Sequence, residues 1–226
     1  MAPRVLILKA GVTDDALLSA HGDYDQWVRD ALGDRTSPQV CRVCDGEALP
    51  DAGGWDGVLI TGSPLSIRDE AAWMLEMGRW SVDIARAGTP VFGICFGHQA
   101  IGEVLGGRVG LNPNGLEVGA IEVTLTEAGR ADPLFAGLPD VIAVQATHTD
   151  ILVAPPVGEG VRLLGGNAST EWQAFAFGEH LRAVQFHPEV TAGIMDTLLT
   201  SRRQQGVRAE TPHGGRMLSN WADHWL

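Results

Sequence analysis

The sequence predicts an α/β fold in which a central, mostly parallel sheet is joined to a smaller antiparallel lobe. In the first half of the chain, short apolar strands alternate with amphipathic helices, which is the pattern of a parallel sheet covered on both faces. In the second half, five short strands follow one another and are expected to pair locally. The 226 residues, of which 45% are hydrophobic and 19% charged, are enough for one domain with a full core.

The first half of the chain supplies the predicted parallel strands and the helices that cover them. Residues 70–86 carry tryptophan, methionine and isoleucine at spacings of three and four, which predicts a helix with a buried face. Residues 11–22 are predicted to form a loop near the functional site. The predicted strands span 4–10, 39–44, 56–61 and 89–94, and the predicted helices span 23–32, 70–86 and 97–105.

The second half is predicted to be rich in strands and to end in two helices. Thr191 is a good N-cap for a helix that runs to about residue 205. Residues 216–226 predict an amphipathic helix that docks on the domain and closes its core. The predicted strands span 117–126, 141–147, 161–165, 172–177 and 181–186.

Charge and cysteine content argue against several classes of function. The net charge is −12 and no basic cluster occurs, which argues against nucleic acid or an anionic membrane as a partner. No apolar run approaches the ~18 residues of a membrane-spanning helix. The three cysteines, Cys41, Cys44 and Cys95, are too few for a disulfide framework and predict a reducing, cytoplasmic location.

Cys41 and Cys44 form a Cys-x-x-Cys motif, which in other proteins can bind zinc or carry out redox chemistry. No second pair of zinc ligands follows at short spacing, and a redox motif would begin a helix rather than lie in a strand. Residues three apart in a strand also point to opposite faces of the sheet. The motif therefore favours two structural cysteines, and we expect neither a metal nor a cofactor.

The chemistry is predicted around the third cysteine, in the segment Gly93-Ile94-Cys95-Phe96-Gly97. An apolar strand precedes Cys95 and a helix follows it, which is typical of a nucleophile elbow, a sharp turn that exposes the reactive atom. The positive end of the helix favours thiolate over thiol. The alternative is a buried structural cysteine, but that role would not require a glycine two residues away on each side.

A histidine suited to activate this thiol occurs in Gln185-Phe186-His187-Pro188-Glu189. A residue before proline is extended, and residues two apart on a strand face the same side, so we expect Glu189 to reach the ring of His187. This predicts Cys95 as nucleophile, His187 as general base and acid, and Glu189 as the group that fixes the histidine tautomer. The alternative for the His-Pro-Glu segment alone is a surface turn.

Acyl transfer to Cys95 also needs two hydrogen-bond donors for the oxyanion. The backbone N–H of Phe96 follows the nucleophile directly, and Gly62, at the end of a neighbouring strand, is the candidate for the second donor. Removing one such donor typically costs about 3–4 kcal/mol of transition-state stabilisation. Gly62 could alternatively serve only as a turn residue.

The three segments 93–99, 62–64 and 185–189, in this order and at these separations, resemble the class I (triad) glutamine amidotransferases. The resemblance covers essentially the whole chain and implies one amidotransferase domain over residues 1–226, folded as a flavodoxin-like three-layer sandwich. The likeness is strongest to stand-alone proteins similar to the amidotransferase domain of GMP synthase. Plant γ-glutamyl peptidases are similar as well.

The resemblance also implies how substrate is held. In the family, the residue matching Gln99 contacts substrate, and so does the backbone of the segment matching Thr147-His148-Thr149-Asp150. A polar run that ends an apolar strand is suited to form the edge of a pocket, although it could equally be a solvated turn. Two departures from the family pattern concern binding: Ser63 stands where many members have glycine, and Thr149 replaces a common glycine.

Three functions remain open at this stage. The leading hypothesis is hydrolysis of the glutamine side-chain amide, with ammonia passed to an unidentified acceptor or synthetase partner. The second is hydrolysis of larger γ-glutamyl amides by the same thioester chemistry. The third is a non-catalytic binding or regulatory module on the same fold. No P-loop motif occurs, which argues against ATP use by this chain.

Overall fold

The computed structural model describes residues 2–226, within which it contains eleven strands and seven α-helices. In chain order these elements are β1 (Arg4–Leu8), α1 (Asp15–His21), α2 (Tyr24–Leu32), β2 (Ser37–Cys41), β3 (Gly57–Ile60), α3 (Ala72–Arg86), β4 (Val91–Ile94), α4 (Phe96–Val104), β5 (Arg108–Leu111), β6 (Glu117–Leu125), α5 (Glu127–Ala131), β7 (Val141–His148), β8 (Asp150–Ala154), β9 (Val161–Gly166), β10 (Ala174–Phe177), β11 (Leu181–Val184), α6 (Ala192–Ser201) and α7 (His213–Trp225).

A nine-stranded sheet in the order β2-β1-β3-β4-β11-β10-β9-β6-β7 forms the centre of the molecule. The five strands from β2 to β11 are parallel, and the four that follow are antiparallel. Strands β5 and β8 form a separate antiparallel pair. The predicted α/β class is therefore confirmed: the antiparallel strands β10, β9, β6 and β7 continue the large sheet, and β5 and β8 form a small antiparallel sheet of their own.

Alternate residues of β1 belong to two different hydrophobic clusters, one on each face of the sheet. Leu6 and Leu8 pack with residues of α3 and α4, whereas Val5 and Ile7 pack with residues of α2 and α7. Such a doubly covered strand reads as a continuous apolar run, as this one does. Trp221 of α7 is fully buried, which confirms that the last helix closes the core.

The loop predicted for residues 11–22 is wrong, because it contains α1. Asp14 caps this helix by accepting a hydrogen bond from the N–H of Leu17 at 3.1 Å. Leu17 is fully buried in a third cluster that also contains Ile194 and Leu198 of α6. With only one buried apolar residue in its seven, α1 lacks the periodic pattern by which longer helices are recognised.

Two further predictions in strand regions need correction. The strand predicted at 39–44 ends at Cys41, and Cys44 lies in a short 3₁₀ turn (Val43–Asp45) that Gly46 closes in a left-handed conformation with φ 87°. Strands β5 and β8 were not predicted. They are four and five residues long and pair only with each other in the described part of the chain.

The parallel strands bring the predicted site residues to one edge of the sheet. Cys95 follows β4, Gly62 lies two residues after β3, and His187 lies three residues after β11, which pairs with β4. The carboxyl ends of parallel strands form the crevice where α/β proteins bind ligands. Within residues 2–226, no helix has the length and apolar character needed to cross a membrane.

Candidate active site

Cys95 occupies a strained turn between β4 and α4. Its backbone has φ 49° and ψ −97°, and few non-glycine residues adopt a positive φ. The turn is held because the N–H of Cys95 donates to the carbonyl of Val184 at 2.8 Å, and its carbonyl accepts from the N–H of Gln99 at 3.0 Å. This is the conformation expected of a nucleophile elbow.

Close packing explains the two glycines that flank this turn. A Cβ atom on Gly97 would lie 2.7 Å from Cβ of Ile60 and 3.0 Å from the Ile60 carbonyl oxygen. A Cβ atom on Gly93 would lie 2.7 Å from Cδ1 of Ile101. Side chains at either position would push α4 away from the sheet and would disturb the turn that carries Cys95.

His187 and Glu189 form a buried pair next to this turn. Nδ1 of His187 lies 2.7 Å from Oε1 of Glu189, and both side chains are at most 2% exposed. The geometry differs from the predicted one, because residues 188 and 189 form a turn rather than an extended strand. An isolated bridge to Gln145 holds the backbone of His187, whose N–H donates to the Gln145 carbonyl at 2.8 Å.

Electrostatics favour the protonated form of His187. Burial alone would lower the pKa of this imidazole, but the negative charges of Glu189 and Cys95 outweigh burial and raise the pKa to about 10. Nε2 of His187 is buried and has no hydrogen-bond partner among the described residues. Because Nδ1 is engaged by Glu189, Nε2 is the nitrogen available for proton exchange.

Of the two residues predicted to bind an oxyanion, Phe96 directly follows Cys95 and Gly62 lies against His187. Phe96 is the first residue of α4, so its N–H belongs to the first helical turn, which has no acceptors within the helix. Gly62 contacts the imidazole: a Cβ atom on it would lie 2.7 Å from Cε1 of His187. The donor role of both residues stays a prediction.

Cys95 and His187 line a cavity of about 300 Å³ that opens to solvent. Small-molecule sites usually measure roughly 300–1,000 Å³, so this cavity fits a ligand about the size of an amino acid. Gln99 and the four residues 147–150 line it as well. Every residue predicted to contact substrate thus lines the same cavity as Cys95.

The carboxylate of Asp150 is bound by two residues of the loop that follows Gly62. Nε of Arg68 lies 3.2 Å from both carboxylate oxygens, and the hydroxyl of Ser66 donates to one of them. The Arg68 side chain is 44% exposed and lines the cavity. The cavity wall therefore presents a cation and an anion side by side.

His148 forms a second buried histidine–carboxylate pair. Its Nε2 lies 3.1 Å from Oε2 of Glu117. Burial would raise the pKa of Glu117, but the contact with His148 and hydrogen bonds from Asn167 and Thr170 lower it. His98, three residues after Cys95, is fully buried against Phe175; burial and then the charge of His148 lower its pKa to about 3. His98 is therefore neutral, in keeping with its having no predicted role.

Sequence reasoning did not identify three residues that contact the site. Nε2 of Gln185 donates to Sγ of Cys95 at 3.6 Å, Arg68 binds Asp150, and Tyr24 lines the cavity. Burial and then the charge of Cys95 raise the pKa of Tyr24, so its hydroxyl stays protonated. Only Gln185 had a local signal, because it lies two residues before His187 in the same motif.

Comparisons with known proteins agree with this fold. The family model described as "Glutamine amidotransferase class-I" matches residues 18–204. A GMP synthase [glutamine-hydrolyzing] from Aeropyrum pernix is 34% identical over 180 residues, which are 78% of this chain but only 28% of that protein. Gamma-glutamyl peptidase 3 from Arabidopsis thaliana is 29% identical over 160 residues, 68% of this chain and 63% of that protein.

A solved structure supports the fold alone. The crystal structure of a glutamine amido transferase from Methylobacillus flagellatus superposes with a TM-score of 0.73 at 18% sequence identity, and the match covers 100% of this chain and 94% of that one. The match to the A. pernix relative covers much less of that protein, since the chain spans only about a quarter of its length.

Proposed function

The chain belongs to the class-I glutamine amidotransferase family, and from this premise we propose that it hydrolyses the side-chain amide of glutamine with Cys95, His187 and Glu189. One observation carries the proposal. A buried cysteine on a strained strand-to-helix turn lines the same cavity as a histidine that is held by a carboxylate at 2.7 Å. Acyl transfer by a thiolate requires these three groups in this order.

In the first half of the reaction, Sγ of Cys95 attacks the carbonyl carbon of the glutamine carboxamide. The electrons of the C=O bond move onto oxygen, where the N–H groups of Phe96 and Gly62 stabilise the negative charge. As the oxyanion collapses, the C–N bond breaks and the nitrogen takes the proton from Nε2 of His187. Ammonia leaves, and a γ-glutamyl thioester on Cys95 remains.

In the second half, neutral His187 takes a proton from water, and the resulting hydroxide attacks the thioester carbon. The C–S bond breaks, the γ-carboxylic acid of the product leaves and loses its proton to solvent to become glutamate, and Cys95 and His187 return to their starting charges. Glu189 keeps the imidazole in one tautomer and stabilises its charged form in both halves. The net reaction converts glutamine and water to glutamate and ammonia.

We assign recognition of the glutamine α-amino acid end to the Arg68–Asp150 pair. The α-carboxylate and α-ammonium of glutamine carry opposite charges, and the cavity wall offers a guanidinium and a carboxylate in contact. Thr147, His148 and Thr149 form the remaining edge of this part of the cavity. The ammonia acceptor would be a synthetase partner, as the name of the A. pernix relative suggests.

A second candidate is hydrolysis of γ-glutamyl peptides, which would use the same thioester. The relative named gamma-glutamyl peptidase 3 favours it, and so does a cavity that opens to solvent beside the half-exposed Arg68. A γ-glutamyl peptide differs from glutamine only in what is attached to the scissile nitrogen, so the glutamyl half would bind in the same way.

A direct comparison of substrates tests both candidates. Ammonia release from glutamine and amino acid release from γ-glutamyl dipeptides are measured with the same protein, with Cys95→Ser as control. We expect turnover of glutamine that the control lacks. Cleavage of dipeptides without glutamine turnover would favour the second candidate, and a Cys95→Ser variant as active as the unaltered protein would contradict both.

A further inference from the structure

A chain of buried amides connects the substrate cavity to the nucleophile. Nε2 of Gln99 donates to the carbonyl oxygen of Asp150 at 2.8 Å and to Oε1 of Gln185 at 3.2 Å. Nε2 of Gln185 donates to Sγ of Cys95 at 3.6 Å. Gln185 is fully buried and Gln99 is 3% exposed, so water does not compete for these hydrogen bonds.

The direction of every hydrogen bond in this chain follows from its first member. A backbone carbonyl can only accept, so the amide group of Gln99 that faces Asp150 must be its NH₂. The same nitrogen also contacts the side chain of Gln185, which must therefore present its oxygen to Gln99. The NH₂ of Gln185 then has to face Cys95, and its amide cannot turn around without breaking the chain.

Cys95 needs such a donor because its sulfur is buried. The residue is 5% exposed, and a buried anion is stable only when it is paired or hydrogen-bonded. His187 lines the same cavity, but neither of its ring nitrogens hydrogen-bonds to the sulfur in this structure. In the described part of the chain, the amide of Gln185 is the one side-chain group that donates a hydrogen bond to this sulfur.

We propose that Gln185 is a positioning residue that holds the sulfur of Cys95 and stabilises its thiolate, with Gln99 fixing the orientation of the Gln185 amide. This rests on the proposed function, since it assumes that Cys95 is the nucleophile. The same donor assists the second half of the reaction, when the C–S bond breaks and negative charge returns to the sulfur. In this role Gln99 acts through Gln185, because its NH₂ hydrogens are already used by protein acceptors.

The pH dependence of Cys95 alkylation tests the proposal without any assumption about substrate. Iodoacetamide labelling of the Cys95 peptide is followed by mass spectrometry between pH 4 and 10. We expect Gln185→Met to move the midpoint of the alkylation profile upward by about one pH unit. Gln185→Glu, which replaces the donor with an acceptor, is expected to move it further, and Gln99→Met less far in the same direction.

Asn220→Leu is the matched control, because Asn220 is also buried and its amide donates to two backbone carbonyls, those of Leu134 at 2.9 Å and Ala136 at 3.0 Å, but it does not line the cavity of Cys95. Its profile should equal that of the unaltered protein. A folded Gln185→Met variant with an unshifted midpoint would overturn the proposal; if that variant does not fold, an unshifted Gln99→Met variant would do so. If Cys95 of the unaltered protein is unreactive, the proposed function fails, and this inference fails with it.

Discussion

Gly62 contacts the imidazole of His187 so closely that a Cβ atom at residue 62 would lie 2.7 Å from Cε1 of the ring. That distance is below any normal contact, so a side chain at this position would displace the ring. His187 is held on its other side by Glu189 at 2.7 Å. Glycine at this position is therefore required by the position of the histidine, independently of any role for its N–H group.

Gly62→Ala is expected to lower kcat/KM about 100-fold, because small misplacement of a catalytic group has effects of that order. Gly53→Ala is the control, because a Cβ atom there would meet nothing within 4 Å. Full activity of Gly62→Ala would contradict this expectation, because it would mean that the imidazole of His187 can shift without loss of activity.

Those parts of the site that depend on local chain geometry were predictable from sequence. The turn at Cys95 requires small neighbours at 93 and 97, and the two-residue spacing of His187 and Glu189 brings their side chains together. The prediction that Glu189 reaches the ring of His187 was correct, although residues 188 and 189 form a turn and not the extended backbone that was expected. Such local contacts can be predicted even when the backbone conformation is wrong, because few rotatable bonds separate the interacting groups.

The contacts that were not predicted join residues far apart in the chain. Arg68 meets Asp150 across 82 positions, and Gln99 meets Gln185 across 86. No periodicity or motif specifies such pairs, because they depend on how the loops after separate strands come together. The short helix α1 was missed for a related reason, since it is stabilised by one cap and by contact with α6 rather than by an extended apolar face.

The alkaline limit of activity should depend on Glu189. The raised pKa of His187, about 10, keeps the imidazolium available as the acid that protonates the leaving nitrogen. Glu189→Gln removes the carboxylate that raises this pKa, so the pKa falls and the imidazole loses its proton at lower pH. We expect the alkaline limb of kcat/KM, which reports the free enzyme, to move toward neutral pH. If the alkaline limb does not move, a group other than His187 sets it.

Cys95 should be alkylated at least tenfold faster than the other two cysteines at pH 7. Burial and then the charge of Glu47 raise the pKa of Cys41, and burial and then the charge of Asp45 raise the pKa of Cys44, so both remain thiols. The reactive species is the thiolate. Limited labelling followed by peptide mass spectrometry measures the ratio. Equal labelling of all three would support a non-catalytic module instead.

Arg68→Met is expected to raise KM about tenfold with kcat within about twofold. A lost charge-assisted hydrogen bond to a substrate carboxylate has this size, and binding that is equal in ground and transition states affects KM alone. Arg35→Met is a matched control, because Arg35 is similarly exposed (47%) and also pairs with an aspartate, Asp223, at 2.6 Å. A fall in kcat with KM unchanged would contradict substrate binding by Arg68.

Two glycines in helices separate packing from helix propensity. Replacing glycine by alanine inside a helix normally stabilises it by about 0.5–1 kcal/mol. Gly215→Ala in α7 should follow this rule, because a Cβ atom there meets nothing within 4 Å. Gly97→Ala in α4 should instead lower the free energy of unfolding by about 1–3 kcal/mol, since its Cβ atom would lie 3.0 Å from the Ile60 carbonyl oxygen, which belongs to the sheet and cannot move aside. Urea unfolding of both variants measures the difference.

Gly97→Ala should also slow alkylation of Cys95, because the start of α4 moves away from the sulfur. A stabilised Gly97→Ala variant would show that α4 and β3 do not pack as closely as described.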